Sequence, residues 1–357
     1  MQITTSFKTI GTSDPVFIIA EAGINHNGDI KLAHKLIDAA ADAGADAVKF
    51  QTFLTDELVS NGAPLAEHHI TNVKDAISHY DILKGLELPF NSFNQLKTHC
   101  EEQRILFFST PYDIPSAEFL INMQIELIKI ASSEMMNYPL LEVIGKSKIP
   151  IILSTGMNNW EEIEDSVNFL NTYNSPLCIL KCTSNYPALP ESINLRGIER
   201  LKESFGDCLI GFSDHTEGHE ITLAALGLGA CVVEKHFTLD KNQWGPDHSA
   251  SMVPDEFSAF VKAVRKAEKA LGKKNWEIQD TEKAQRETMQ KGVYARCNIE
   301  KGERLEISKV KFLRPKGKSS PKDFWKHFQN KPVKNKIYPG EEIHIGQIVT
   351  TKGGIDL

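Results

Sequence analysis

Short apolar runs alternate with amphipathic stretches from residue 16 to about residue 270. The runs are VFIIAE (16–21), AVKFQT (47–52), ILFFST (105–110), LIKIAS (127–132), IPIILST (149–155), LCILKCT (177–183), CLIGFSD (208–214) and CVVEKHF (231–237). Each is almost continuously hydrophobic rather than alternating, the pattern of strands buried on both faces. Between them the apolar positions recur with helical spacing. In GDIKLAHKLIDAAADAGA (28–45), Ile30, Ala33, Leu36, Ile37 and Ala40 form one stripe, with Asp29 placed to cap it and Gly44 to stop it. SAEFLINM, YPLLEVIGKS, EEIEDSVNFLNT and GHEITLAALGLG supply further helices, and residues 256–271 a last one. Eight strand–helix repeats predict an α/β fold, a closed (β/α)8 TIM barrel over residues 1–271. The stretch 53–92 is long for a barrel loop, and long loops at a barrel mouth are often functional.

The pattern then changes. Residues 272–292 are polar and predict a linker or solvated arm. Beyond them, short β-rich runs punctuated by Gly and Pro predict a small second domain over 293–352. It carries a weak internal echo, Ile299-x-Lys301-Gly302-Glu303-x-Leu305 against Ile337-x-Pro339-Gly340-Glu341-x-Ile343.

Composition narrows the function classes. Of 357 residues 41% are hydrophobic and 24% charged, ordinary for a globular chain. The net charge of −7 and the lack of a basic run argue against nucleic acid or membrane partners. No apolar stretch is long enough to span a bilayer. MQITTSFKTIGTSDP lacks the basic-then-apolar order of a signal peptide, and the six cysteines form no CxxC, so a reducing cytoplasm is expected.

In a (β/α)8 barrel, chemistry sits at the carboxyl ends of the strands. Here those ends carry Glu21, Lys49 and Gln51, Ser109 and Thr110, Lys129, Ser132 and Glu134, Ser154, Lys181 and Tyr186, Ser213 to His215, and His236. A purely structural barrel has no need of that coincidence. His215 and His236 end adjacent strands about 4.8 Å apart, so their imidazoles can reach one divalent ion. Two neutral nitrogens make an exchangeable site completed by water or substrate, better suited to Mn2+, Mg2+ or Co2+ than to caged Zn2+. Lys49 and Lys129 interrupt apolar strands and need partners, either an internal carboxylate such as Glu21 or Glu134 or a small polyanion. Glu21 and Glu134 are the carboxylates placed for proton transfer. Asp247, in WGPDHSAS, can grip a sugar hydroxyl or close an Asx turn. Asn25 and His26 fit helix capping, and His68 and His69 fit a surface loop. Neither a Walker motif nor GxGxxG is present, which argues against nucleotide binding.

IIAEAGINHNGD, AVKFQT, FSTPYD, IKIASSEMMNYPL, ILSTGM, CTSNYPA, GFSDHT, EKHFTLDK with GPDHSAS, and FLRPKG occur in this order along almost the whole chain. In that combination the sequence resembles the bacterial sialic acid synthase family. The resemblance implies a TIM barrel followed by a SAF (antifreeze-like) domain, in a domain-swapped homodimer whose small domain covers the partner's barrel mouth. It implies a transferase that condenses phosphoenolpyruvate with an N-acetylated hexosamine and water, giving a nonulosonic (sialic) acid and phosphate. N-acetylmannosamine, giving N-acetylneuraminate, is the first expectation for the acceptor. A 2,4-diacetamido-2,4,6-trideoxymannose, giving N,N'-diacetyllegionaminate, is the alternative.

Carried over by motif, His215 and His236 look like Mn2+ ligands. Lys49, Thr110, Lys129, Ser132, Ser154 and Ser213 match positions that hold phosphoenolpyruvate. Ser184 stands where some relatives carry asparagine, and still offers a donor. Gln51, Glu134, Tyr186 and Asp247 match the sugar-facing set, Glu21 matches a carboxylate needed for turnover, and Arg314 resembles the arginine lent to the other subunit. An ion on the two histidines would polarise the aldehyde oxygen, with Glu134 or Glu21 managing protons. The competing readings are a Schiff-base aldolase using Lys49, Lys129 or Lys181, and a non-catalytic sugar-binding or ice-binding protein.

Overall fold

The computed structural model describes residues 1–60, 63–64 and 78–349, and the chain divides into two compact units, Met1–Gly272 and Lys273–Leu357. The first opens with a hairpin that the hydrophobic pattern does not announce, β1 (Gln2–Thr4) paired with β2 (Thr9–Gly11). Eight parallel strands follow: β3 (Phe17–Gly23), β4 (Ala47–Thr52), β5 (Leu106–Pro111), β6 (Ile128–Ile130), β7 (Ile151–Ser154), β8 (Leu177–Cys182), β9 (Leu209–Asp214) and β10 (Val232–His236). They close in sequence order, with β10 returning to β3, so all eight apolar runs become barrel strands.

Helices follow the strands as the polar spacing predicts. Helix Ile30–Asp42 buries Ala33, Leu36, Ile37 and Ala40, and the Asp29 side chain accepts from Lys31 N at its start. Gly44, just past its end, takes φ +88°, a backbone that L side chains rarely adopt. The last barrel helix begins slightly early, at Pro254, and runs to Leu271. The segment after β4 contains helices Thr55–Leu58 and His79–Leu86, while His68 and His69 lie outside the described residues.

Strand alternation sorts the side chains into two layers. One apolar layer fills the space between barrel and helices. The other fills the barrel with Phe17, Ile19, Ala47, Leu106, Phe108, Ile152, Cys178, Leu180 and Leu209, joined by Ile3 and Ile10 of the hairpin. Because Phe17, Ala47, Leu106 and Leu209 sit at or near the amino ends of their strands, that end is packed with apolar side chains. The next inward positions, one pleat further on, are polar.

In the second unit, the segment expected to be a linker includes helix Asp280–Met289, with no buried residue. A two-stranded antiparallel sheet follows, β11 (Gly292–Ala295) with β12 (Val310–Leu313). The internal echo is structural. Ile299 and Ile337 exchange backbone hydrogen bonds at 3.0 Å each way. The two equivalent glycines match as well, Gly302 at φ +83° and Gly340 at φ +84°. Ile299, Leu305, Ile337 and Ile343, the apolar positions of the two copies, lie together in this unit's own core.

Candidate active site

Inward alternation carries Glu21, Lys49, Gln51, Thr110, Lys129, Ser154, Cys182, Ser213, Glu234 and His236 past the apolar floor to the carboxyl end of the barrel. Most of them line a cavity of about 90 Å³, which also receives Tyr112, Ser132, Ser184, Tyr186 and His215. The cavity's charges form one chain of contacts. Lys49 Nζ lies 2.9 Å from Glu21 Oε2, an ion pair by distance whose angle makes no directed hydrogen bond, and donates to Thr110 Oγ1 at 3.1 Å. It also lies 3.6 Å from Glu234 Oε2. Lys129 Nζ meets Glu234 Oε1 at 3.4 Å, and Ser213 Oγ donates to the same oxygen at 3.0 Å. Gln51 Nε2 donates to Glu21 Oε1 at 3.2 Å.

Burial and charge set the protonation states. Burial raises the Glu21 pKa to about 7, with Lys49 opposing and Glu234 adding to the rise. Burial would also raise Glu234, but Lys129 and Lys49 outweigh it and hold the carboxyl at about 2. For Lys49, burial works against the ammonium, yet Glu21 and Glu234 keep its pKa above the usual value. Burial prevails at Lys129, whose pKa falls despite Glu234. Among these residues Glu21 alone is held near neutrality, and perturbed groups of this kind cluster at functional sites.

The two histidines stand beside each other at the rim, ring centroids 5.2 Å apart, with the Tyr186 ring 4.2 Å from His215 and 5.3 Å from His236. His215 Nδ1 faces the Thr183 carbonyl at 2.7 Å and must donate to it, which leaves the Nε2 lone pair for another partner. His236 Nδ1 is buried with no hydrogen-bond partner, and Asp247 Oδ2 is 3.8 Å away. Burial lowers the His236 pKa well below normal, so this imidazole is neutral. Burial raises Asp247 to about 6 against the pull of His215 and Lys49. Burial works against a charged His215, but Cys182 and the Thr183 carbonyl raise its pKa above the ordinary value, so a divalent cation between the two imidazoles, completed by water or substrate oxygens, would take the place of that proton. Among the described residues, no group of three or more His, Cys, Asp or Glu side chains forms a ready metal cage. Ser154 Oγ is likewise buried without a partner.

The remaining expected residues are placed as follows. Ser132 Oγ accepts from Gly156 N at 2.9 Å, fixing the turn after β7 against the turn after β6. Glu134 ends the 3-10 turn Ser132–Glu134, accepts from Asn137 Nδ2 at 2.8 Å, and is not among the cavity's lining side chains. Lys181 points to the helix side of the wall, away from this cavity. Arg314 belongs to the second unit, where its guanidinium donates to Met289 Sδ at 3.5 Å.

The NeuB family model matches residues 36–276. The chain belongs to the NeuB family. Among NeuB relatives, it is 40% identical over 313 residues to the N,N'-diacetyllegionaminic acid synthase of Legionella pneumophila, covering 86% of this chain and 88% of that one. It is 35% identical over 312 residues to the N-acetylneuraminate-9-phosphate synthase of Homo sapiens, covering 87% of each. The crystal structure of N-acetylneuraminic acid (sialic acid) synthetase from Leptospira borgpetersenii in complex with citrate superposes with TM-score 0.72 at 37% identity. That match covers 80% of this chain and 95% of that one. No helix among the described residues of this NeuB chain is long and apolar enough to cross a membrane.

Three titratable lining residues were given no role in the sequence reading: Glu234, Cys182 and Tyr112. The signal for the first two was present. Glu234 precedes His236 by two and Cys182 follows Leu180 by two, so period-2 alternation puts both on the inner face. Cys182 Sγ lies 4.0 Å from His215 Nδ1. Burial opposes thiolate formation there, but His215 and Lys129 bring its pKa down to about 6.

Proposed function

We propose that this NeuB-family chain is a nonulosonic acid synthase, condensing phosphoenolpyruvate with an N-acetylated aldose and water and releasing phosphate. The observation that carries this reading is the juxtaposition, in one barrel-mouth cavity, of two buried lysines, a buried hydroxyl without a partner and two adjacent histidines. Lys49 and Lys129 offset the phosphate and carboxylate charge of phosphoenolpyruvate, with Thr110, Ser132, Ser154, Ser184 and Ser213 as hydroxyl partners. Two ammonium groups and two carboxyls share the floor. Glu234 stays ionised, so a proton kept on Glu21, with its pKa of about 7, leaves the floor net positive for the incoming anion.

His215 and His236 would hold a divalent cation, Mn2+ first and Mg2+ or Co2+ as alternatives, supplying Lewis acidity towards the aldehyde oxygen. Carbon 3 of phosphoenolpyruvate bonds to the aldehyde carbon, whose oxygen becomes a hydroxyl. We assign Glu21 to supply that proton and to regain one from the water that adds at carbon 2. The carbon–oxygen bond to phosphate then breaks, and the carbon-2 hydroxyl proton leaves with the phosphate. Preorganised ammonium and hydroxyl groups stabilise the charge that develops. Gln51, Tyr186 and Asp247 face the sugar. We assign the second unit as a SAF domain that lends Arg314 to the cavity of a second copy in a homodimer. Glu134 is assigned to the sugar side, outside the proton relay. The 40% identity to a synthase named for diacetyllegionaminic acid favours the 2,4-diacetamido-trideoxy acceptor over N-acetylmannosamine.

The test is phosphate release from phosphoenolpyruvate with each candidate sugar, with and without EDTA. Release that needs an N-acetylated aldose, stops in EDTA and returns with Mn2+ supports the reading. Phosphoenolpyruvate left intact with every acceptor refutes it, and so does EDTA-resistant turnover with borohydride trapping at a lysine, the mark of a Schiff-base aldolase.

A further inference from the structure

A second cavity, of about 610 Å³, lies on the helix side of the barrel wall. It is bounded by the turns after β7 and β8 and by the start of helix Gly197–Ser204. It shares Met157, Cys182 and Ser184 with the first cavity, so the two adjoin, but its other lining residues are its own. Along β8, Cys182 faces inward, whereas Lys181 points outward and runs so close to Gly197 that a Cβ there would stand 3.1 Å from its stem.

The charge of this compartment is one-sided. Lys181, Arg196 and Arg200 line it and no aspartate or glutamate does, in a chain with more acidic than basic residues. Among the described residues the Lys181 ammonium donates to neutral partners, Cys182 O at 2.9 Å and Thr183 Oγ1 at 3.3 Å. The Arg200 guanidinium lies over the Trp160 ring at 3.7 Å, and that ring is itself stacked on Phe205, so the aromatic pair positions the guanidinium. Helix Gly197–Ser204 begins at the cavity, and its first N–H groups donate to the carbonyls of Asn194, Leu195 and Arg196, so the donors offered to the cavity are the side chains of Lys181, Arg196 and Arg200. A space of this size, with a few convergent charged groups beside Trp160, Ile163 and Leu201, is of the kind that takes small molecules.

We propose that this second cavity is an anion site that binds a phosphate group, distinct from the cavity where condensation occurs. Two guanidinium forks suit the oxygens of one phosphate, and Lys181 adds a point charge. The phosphate comes either from free inorganic phosphate or from a phosphorylated small molecule whose body lies against Trp160.

Calorimetric titration of the full chain with inorganic phosphate and, separately, with glucose 6-phosphate tests the site and distinguishes the sources. Whichever probe binds more tightly identifies the class of occupant. Arg196 and Arg200 are exposed, so the R196Q/R200Q double variant should fold, and its thermal melt checks that it does. It should bind the tighter probe at least tenfold more weakly at one site, while phosphoenolpyruvate turnover under saturating substrates stays unchanged. K181Q should weaken the same site without the arginine changes. Titrations of both probes that are identical in wild type, R196Q/R200Q and K181Q overturn the proposal. So does a double variant that loses binding together with turnover, which would make the two cavities one. Because binding is read directly, failure here leaves the condensation assay to be judged on its own.

Discussion

Replacing Glu234 with glutamine removes the one carboxylate shared by both interior lysines. Lys49 keeps Glu21 at 2.9 Å, but Lys129 loses the partner that Glu234 Oε1 provides at 3.4 Å. At an effective dielectric of ~20, a unit pair at that distance attracts by about 5 kcal/mol. Against this stands the relief of no longer burying a carboxylate, and breaking one side of a buried pair typically costs about 3–5 kcal/mol net. The amide still accepts from Ser213, which puts the expected loss near the lower end, about 3 kcal/mol. For a unit of this size that lowers the melting temperature by roughly 6–12 °C. The sign with pH follows from a folded pKa of about 2 against an ordinary 4.5. The Glu234 contribution is complete above about pH 4.5 and is lost as the pH falls through 2. The wild-type advantage should therefore be full at neutral pH and vanish in acid. Phosphoenolpyruvate should restore the missing negative charge, so its stabilising shift should be larger in the variant. The assay is a thermal melt of both proteins with and without phosphoenolpyruvate. A variant melting within about 2 °C of wild type, with no larger ligand shift, would refute the account of Glu234 as the lysines' counter-ion.

Glu21 has the opposite sign: with its pKa raised from 4.5 to about 7, its contribution is present below pH 4.5 and lost as pH rises through 7. Glu21→Gln, which cannot ionise, should gain stability relative to wild type across that window, on the order of 3 kcal/mol; a pH-independent difference in melting temperature would contradict the raised pKa. Gly156→Ala should disrupt the cavity wall, because a Cβ there would stand 2.2 Å from Ser184 Oγ and 2.9 Å from Ser132 Oγ. The expected loss is about 1–3 kcal/mol in a melt, with a weaker apparent affinity for phosphoenolpyruvate; unchanged kinetics would show that the turn simply shifts. His236→Ala should abolish phosphate release while sparing the fold, since Nδ1 makes no internal hydrogen bond, and full activity at saturating Mn2+ would remove it from the proposed site. Arg314→Ala should weaken use of the acceptor sugar more than dimer formation, measured by steady-state kinetics beside sedimentation; lost association with unchanged acceptor kinetics would refute the assigned role.

The barrel was legible because its strands are local hydrophobic events. Each run such as AVKFQT had to be strand-like and doubly buried whatever its neighbours did, and eight of them separated by helical stripes leave few alternatives to closure. Of the residues the motifs single out, Glu21, Lys49, Lys129, Ser213, His215 and His236 line one cavity. Glu234 was passed over, although period-2 spacing from His236 puts it on the inner face. In the barrel Glu234 and Lys235 point apart: Glu234 to the interior lysines, and Lys235 to Asp214 at 3.0 Å on the helix side. The N-terminal hairpin was missed for a different reason. Three-residue strands such as QIT and TIG carry too short a pattern to register, and Ile3 and Ile10 declare themselves only against the barrel's packed amino end.

Hydrophobic period and strand-end chemistry, both properties of consecutive residues, were enough to determine the barrel, its order and which residues crowd its mouth. What they could not determine was how those charges pair, because that depends on residues far apart in the chain. Glu234 and Lys129 are 105 positions apart and Lys49 and Thr110 are 61 apart, yet each pair is within 3.4 Å. Closure of the barrel alone sets which carboxylate stays ionised beside the lysines, which one is held near neutrality, and that Lys181 lines only the outer cavity while its neighbour Cys182 reaches both.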